Sequence, residues 1–267
     1  MGLGVQVEHP DDVPDAVELH RLVLLRNSRL DVDEQVALTA RLGRVVGSEV
    51  DVPQVRYEVD RGRHPDHAFF NQQWHADLSW CEEGPAITVL CRVRAGRGAP
   101  RTAFVDTVSG FERLPLARRD QVRGWTAHHH VERSRVLRHG RGTPPPAAPL
   151  RRPPRSPRPV GGEAVPTYVC EPGAAHPVVV RHEPSGRDGV LLGDHAWTLG
   201  SCPEVEGRRL VEELQAEVVA AGERYVHRWR RGDLVVFDNR TVLHRREGLA
   251  HHRRRLLRRT VAWPRVS

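Results

Sequence analysis

Trp74-His75-Ala76-Asp77-Leu78 is the stretch on which the fold turns. On extended backbone, residues two apart point to the same face, so His75 and Asp77 can offer an imidazole and a carboxylate side by side from one strand end, with Trp74 and Leu78 turned away or flanking. A third donor must come from far along the chain. His244 fits, because it follows the apolar run Leu234 to Phe237 and the turn-rich Asp238-Asn239-Arg240. Two imidazoles and one carboxylate on one face of a metal leave the opposite face open, which is a catalytic arrangement and not a structural one. The triplet alone is weak evidence. With 16 histidines in the chain, His9-Pro10-Asp11 and His64-Pro65-Asp66 repeat it in polar stretches, where the central prolines disfavour a regular ladder.

Outward from this stretch the chain reads as sheet with flanking helices. Gln6 to Glu8, Leu22 to Arg26 and Ala86 to Val93 have strand character, and Phe69 to Val105 alternates short apolar runs with glycine and proline. Asp33 to Leu42 reads as a helix capped by Asp31 or Asp33 and ended by Gly43. Val108 to Arg123 predicts one or two short helices interrupted at Pro115, and Glu204 to Ala221 predicts an amphipathic helix carrying Val205, Leu210, Val211, Leu214 and Val218. Pro177 to Val180, Tyr225 to Trp229, Leu234 to Phe237 and Leu256 to Ala262 read as strands. Residues 1–267 are expected to form a single domain, interrupted by a Pro/Arg-rich insertion or lid at about 141–160 that can build neither ladders nor helices.

Composition narrows the function classes. A net charge of +7 would ordinarily suggest a polyanion partner, but arginine supplies all 41 basic residues and lysine none, the signature of a GC-rich coding sequence. Aromatics make up 5% of the chain, too few for a basic stripe interleaved with stacking rings. Nucleic acid is therefore disfavoured as a partner. Cys81, Cys91, Cys170 and Cys202 lack paired spacing and read as reduced, buried thiols. No secretion signal and no membrane-length apolar stretch is evident, so a soluble, cytoplasmic protein with no membrane partner is expected. Other clusters carry less. His128-His129-His130 reads as a polar helix end, since neighbouring side chains do not converge on one ion; His251-His252 reads as exposed loop. Gly96-Arg97-Gly98 is too short for a phosphate loop, and no G-x-S-x-G elbow is present.

Four motifs in order are more specific than any one. Trp74-His75-Ala76-Asp77-Leu78, Gly98-Ala99-Pro100-Arg101-Thr102, the run Gly232 to Arg240 with His244, and Arg255-Leu256-Leu257-Arg258-Arg259 together resemble the taurine dioxygenase (TauD/TfdA) family of Fe(II)- and 2-oxoglutarate-dependent dioxygenases. The resemblance spans about Leu24 to Val261 and leaves out the Pro/Arg segment. It implies a double-stranded β-helix, a jelly-roll, cupin-like core. It further implies that His75, Asp77 and His244 hold iron, and that Thr102, 27 residues beyond His75, helps hold 2-oxoglutarate. Arg255, 11 residues past His244, matches the arginine that grips the distal carboxylate of 2-oxoglutarate. A guanidinium can do this with two parallel hydrogen bonds, which lysine cannot imitate. Arg259, on the same strand face as Arg255 and Leu257, matches a position that meets an anionic substrate group or the near carboxylate of 2-oxoglutarate. Arg253, Arg254 and Arg258 read as a solvated basic face. Asn71 and Leu78 match substrate-lining positions.

The implied activity is oxidation of a small-molecule substrate by O2, with release of succinate and CO2 and hydroxylation as the default outcome. Desaturation, cyclisation or oxidative rearrangement stay open, because they differ only in how substrate sits. Asp77 argues against a related halogenase, in which chloride takes the carboxylate's place. The substrate histidine of taurine dioxygenase is missing near Arg44-Val45-Val46-Gly47, which argues against taurine and leaves room for a natural-product or amino-acid-derived substrate. The rival class is a non-catalytic basic binding module on the same scaffold, using Arg253-Arg254-Arg255; the intact ligand set counts against it. A homo-oligomer is compatible with the chain.

Overall fold

The central strands bury residues on both faces, and their side chains divide by the two-residue pleat, with a register shift where Leu256 and Leu257 pair with Arg94 and Arg92. The computed structural model describes residues 3–46, 72–95, 100–130, 173–200, 202–247 and 255–264. In chain order the strands are β1 (Val5–Val7), β2 (Leu22–Leu25), β3 (Gly43–Val45), β4 (Ile87–Ala95), β5 (Arg101–Asp106), β6 (Thr126–His129), β7 (Ala174–Pro177), β8 (Val179–His182), β9 (Arg187–Val190), β10 (Ala196–Leu199), β11 (Arg224–His227), β12 (Leu234–Asp238), β13 (Val242–Glu247) and β14 (Arg255–Pro264). Helices α1 (Val13–His20), α2 (Val32–Leu42), α3 (Thr107–Glu112), α4 (Leu116–Val122) and α5 (Glu204–Ala221) lie between them.

A six-stranded sheet runs β1-β2-β12-β4-β14-β3, and a three-stranded sheet runs β11-β5-β13. Leu22, Leu24, Leu90, Val235 and Phe237 from the large sheet meet Phe104 and Val242 from the small one. The alternate residues Val23, Leu25, Val89, Leu234 and Val236 face outward, where α1 and α2 cover them with Val13, Val17, Leu38 and Leu42. Each fully buried side chain of this kind contributes roughly 1.5–3 kcal/mol. The two facing sheets form the jelly-roll core.

Local signals fix the element ends. Asp31 accepts the Glu34 backbone N–H at 2.9 Å while the Glu34 carboxylate accepts the Asp31 N–H at 2.8 Å, a capping box that sets the start of α2. Pro115 separates α3 from α4 as expected. In α5, Val211, Leu214 and Val218 are buried against Ala127, Val190 and Ala196, whereas Val205 is exposed.

Several expectations need correction. The run Pro177 to Val180 divides between two strands, β7 and β8. His128 and His129 lie on strand β6 and not at a helix end, with His129 buried and His128 exposed, as the pleat requires. Arg258 is buried rather than solvated. Cys81 is disulfide-bonded, so four reduced thiols do not hold; Cys91 and Cys202 are free. The Pro/Arg segment, His251, His252, Arg253 and Arg254 lie outside the described residues. Among the described residues, no helix is long and apolar enough to cross a membrane.

Candidate active site

The segment carrying His75 and Asp77 docks on the small sheet by a single antiparallel bridge. His75 N–H donates to His244 C=O, and His244 N–H donates to His75 C=O, both at 3.0 Å. This brings two histidines 169 positions apart into one pair, with ring centroids 4.1 Å apart. The loop after β9 presses on the other side of the segment. Gly193, at φ 118°, would place a Cβ 3.0 Å from the His75 Cα, and the Asp194 N–H donates to Trp74 C=O at 2.7 Å. Only glycine tolerates that approach at that φ.

His75, Asp77 and His244 each offer one ligand atom, and these atoms lie within 4.8 Å of one another. His75 Nδ1 meets the Gln73 carbonyl at 2.8 Å, so with that nitrogen protonated Nε2 is the lone-pair donor. His244 sits between Phe104 and Phe237, at centroid distances of 6.2 and 4.6 Å. Burial and the neighbouring His75 lower its pKa to about 3, against the opposing pull of Asp77, so its imidazole is neutral near pH 7. Burial alone would raise the Asp77 carboxyl. The charges of Arg259, His244 and His75 and the Thr88 hydrogen bond override it and hold the group well below the usual carboxylate range. Two imidazoles and a carboxylate are the donor set that a divalent ion of the iron type requires.

Cross-strand pairing places the surrounding groups. Thr102 pairs with Arg246, and Phe104 pairs with His244, so Thr102 lies on the inner face about 7 Å along β5 from the His244 pair. It is buried, and Trp229 Nε1–H donates to its hydroxyl at 3.0 Å. Arg259 pairs with Leu90, an inner-face residue, and its guanidinium reaches Asp77 Oδ2 at 3.1 Å. Arg258 pairs with Cys91 on the outer face and donates to Gln35 Oε1 at 2.6 Å and to Leu30 C=O. Arg255 lies on β14 with its backbone opposite Ala95; its side chain is outside the described part. Asn71 also lies outside the described residues. Leu78, at φ 58°, sits in an apolar cluster with Val46, Ala86, Val261 and Trp263.

Three neighbours of the ligand cluster had no signal of their own in the sequence. Thr88 Oγ1–H donates to Asp77 Oδ2 at 2.8 Å, and Asn239 Oδ1 accepts the Asp77 backbone N–H at 2.9 Å. His195 is buried with its ring 6.1 Å from that of His75 and edge-on to Trp80 at 4.6 Å. Asn239 was visible only as part of a turn after β12.

The chain is 26% identical over 276 residues to the alpha-ketoglutarate-dependent 2,4-dichlorophenoxyacetate dioxygenase of Burkholderia sp. (strain RASC), covering 94% of this chain and 84% of that protein. It is 25% identical over 250 residues to the (S)-phenoxypropionate/alpha-ketoglutarate-dioxygenase of Delftia acidovorans, covering 85% and 77%. The crystal structure of AAD-2 in complex with Mn(II) and N-oxalylglycine has the same fold, with a TM-score of 0.74 at 17% identity over 98% of this chain and 94% of that one. The family model for the taurine catabolism dioxygenase TauD, TfdA family matches residues 5–261. Since that match spans nearly the whole chain, the protein belongs to the TauD, TfdA family and is a 2-oxoglutarate-dependent dioxygenase that works with Fe(II) and O2.

Proposed function

We propose that this enzyme hydroxylates a small organic anion, with His75, Asp77 and His244 holding the iron. The observation that carries the anionic substrate is Arg259, whose guanidinium stands on the inner sheet face 3.1 Å from Asp77 Oδ2, beside the ligand cluster. A planar cation so placed can bind a carboxylate or sulfate group and hold the rest of the molecule over the open side of the metal. Support comes from relatives named for anions: 2,4-dichlorophenoxyacetate, (S)-phenoxypropionate and, in Pseudomonas putida, a sulfate ester.

Bound iron supplies the oxidising chemistry, coupling decarboxylation of 2-oxoglutarate to succinate and CO2 with oxidation of a substrate C–H bond. The chain's own residues bind and orient. Thr102 and Arg255 hold 2-oxoglutarate, the first by its hydroxyl and the second by its guanidinium. Trp229 Nε1–H donates to Thr102 Oγ1. Phe104 and Phe237 keep water from the His244 side of the site. Leu78 serves packing in this reading, consistent with its apolar cluster.

The test is succinate release in the presence of Fe(II), 2-oxoglutarate and O2, screened with aryloxyalkanoates, alkyl sulfate esters and their neutral amide or alcohol counterparts. Stimulation by the anions and not by the neutral analogues is expected, with a hydroxylated product or its breakdown fragments. Stimulation by neutral compounds alone would remove the anionic substrate, and a dehydrogenated product would replace hydroxylation by desaturation.

A further inference from the structure

The carboxylate of Asp77 is gripped by a hydrogen-bond chain whose direction is fixed. Asn239 takes the Asp77 N–H on its side-chain oxygen at 2.9 Å; its side-chain nitrogen donates to Ala86 C=O at 2.5 Å and to Thr88 Oγ1 at 3.0 Å. Turning the amide over would set its nitrogen against an N–H and its oxygen against a carbonyl, so one orientation satisfies the site. The Thr88 hydroxyl has a single proton. With Asn239 donating to a lone pair, that proton is directed to Asp77 Oδ2 at 2.8 Å.

Asp77, Thr88 and Asn239 are all buried, so water is a poor substitute for any of these bonds. The three come from different elements: Thr88 near the start of β4, Asn239 just after β12, and Asp77 from the segment bridged to β13. Thr88 pairs with both Phe237 and Val261, so its position is fixed by the centre of the large sheet. A rigid strand thereby sets the plane of a carboxylate that stands on a turn.

We infer that Thr88 and Asn239 are positioning residues for the metal: Thr88 orients the Asp77 carboxylate directly, and Asn239 orients Thr88 while pinning the Asp77 backbone. The inference rests on the reading of Asp77 as a metal ligand. Arg259 approaches the same Oδ2 at 3.1 Å from β14. Without the Thr88 proton the carboxylate would turn toward this long, adjustable cation and away from the two imidazoles. Partners that orient a ligand commonly account for about 10–100-fold in metal affinity.

The experiment is titration of the metal-free full-length protein with Co(II), followed by its visible ligand-field absorption, with thermal stability measured in parallel. Thr88→Val keeps the β-branched shape and removes the hydroxyl; it should raise the Co(II) dissociation constant at least about tenfold. Thr88→Ser should stay within about threefold of wild type, because it keeps the hydroxyl and loses only a methyl group. If Thr88→Val does not fold, Thr88→Ala against Thr88→Ser makes the same comparison. Affinity in Thr88→Val or Thr88→Ala equal to wild type would overturn the inference, and so would equal losses with and without the hydroxyl, which would be a packing effect. Asp77→Ala separates the two levels: undiminished Co(II) binding in that variant removes the ligand reading itself. Loss there, with normal binding in the Thr88 variants, removes only the positioning role.

Discussion

On the outer face of the six-stranded sheet, Arg258 is enclosed between Gln35 and the Leu30 carbonyl under α2; on the inner face, one residue later, Arg259 reaches the Asp77 carboxylate. The same side chain on the same strand therefore serves two ends. The outer face is closed by helices, and its polar groups satisfy one another: Gln35 also donates to Thr260 Oγ1 at 3.0 Å, which meets Thr39 Oγ1 at 2.6 Å. The inner face carries the apolar cluster around Phe104 and Phe237, with Thr102 among its polar residues, and at one end His75, Asp77, Thr88, His244 and Arg259 converge. The outer polar groups satisfy one another within the fold, whereas the inner ones include a His-Asp-His group that could hold a metal ion.

The sharpest way to break this contrast is at the inner face. His244→Ala should lower succinate formation at least about a hundredfold while circular dichroism and the unfolding transition remain those of a folded protein. Collapse of the fold instead would place His244 among the structural residues. Arg259→Gln should raise the KM for an anionic substrate or for 2-oxoglutarate by about 10–100-fold, the weight of a charge-assisted hydrogen bond, and shift Tm by under about 2 °C. Unchanged binding of both would take Arg259 out of the site.

Arg258→Leu should reverse that pattern. It leaves Gln35 Oε1 and the Leu30 carbonyl without their donor, at a cost of about 2–4 kcal/mol, read as a Tm lowered by roughly 5–10 °C with KM values unchanged. A KM effect without loss of Tm would erase the distinction between the faces.

A smaller effect probes a second buried charge of the outer face. Asp238, paired with Ile87, has its carboxylate held by Arg240 at 2.6–3.0 Å. Burial would raise its pKa, but the Arg240 charge and hydrogen bonds together bring it below the ordinary value. A depressed folded-state pKa stabilises the protein above the unfolded value, near 3.9, and that stability is lost as pH falls through the folded value. Asp238→Asn should therefore cost about 1–3 kcal/mol at pH 7, with the gap to wild type narrowing below about pH 4. A gap independent of pH would assign the loss to packing alone.

How much of this was readable from the residues follows from the range of each signal. His75 and Asp77 stand two apart, and local strand geometry suffices to make them converge. Capping at Asp31 and the break at Pro115 are likewise local and appear as expected, while the α5 stripe holds for Val211, Leu214 and Val218 and fails at exposed Val205. Arg258 and Arg259 show the limit: the pleat says that they face opposite ways but not which way is inward, and only the pairing of Cys91 with Arg258 and Leu90 with Arg259 decides it. Thr88 and Asn239 lie 11 and 162 positions from Asp77, and no spacing rule connects them. The disulfide at Cys81 was missed for the same reason, since single cysteines carry no information on who lies opposite. For Arg255 the backbone stands on the expected strand, while Asn71 lies outside the described residues.

The central claim is that the inner face holds iron through His75, Asp77 and His244 and takes 2-oxoglutarate onto it. Anaerobic addition of Fe(II) and 2-oxoglutarate tests this most directly through the visible charge-transfer absorption of the chelate. Wild type should develop the band, and Asp77→Ala should lose most of it. No band in folded wild-type protein, or an undiminished band in Asp77→Ala, would contradict the account.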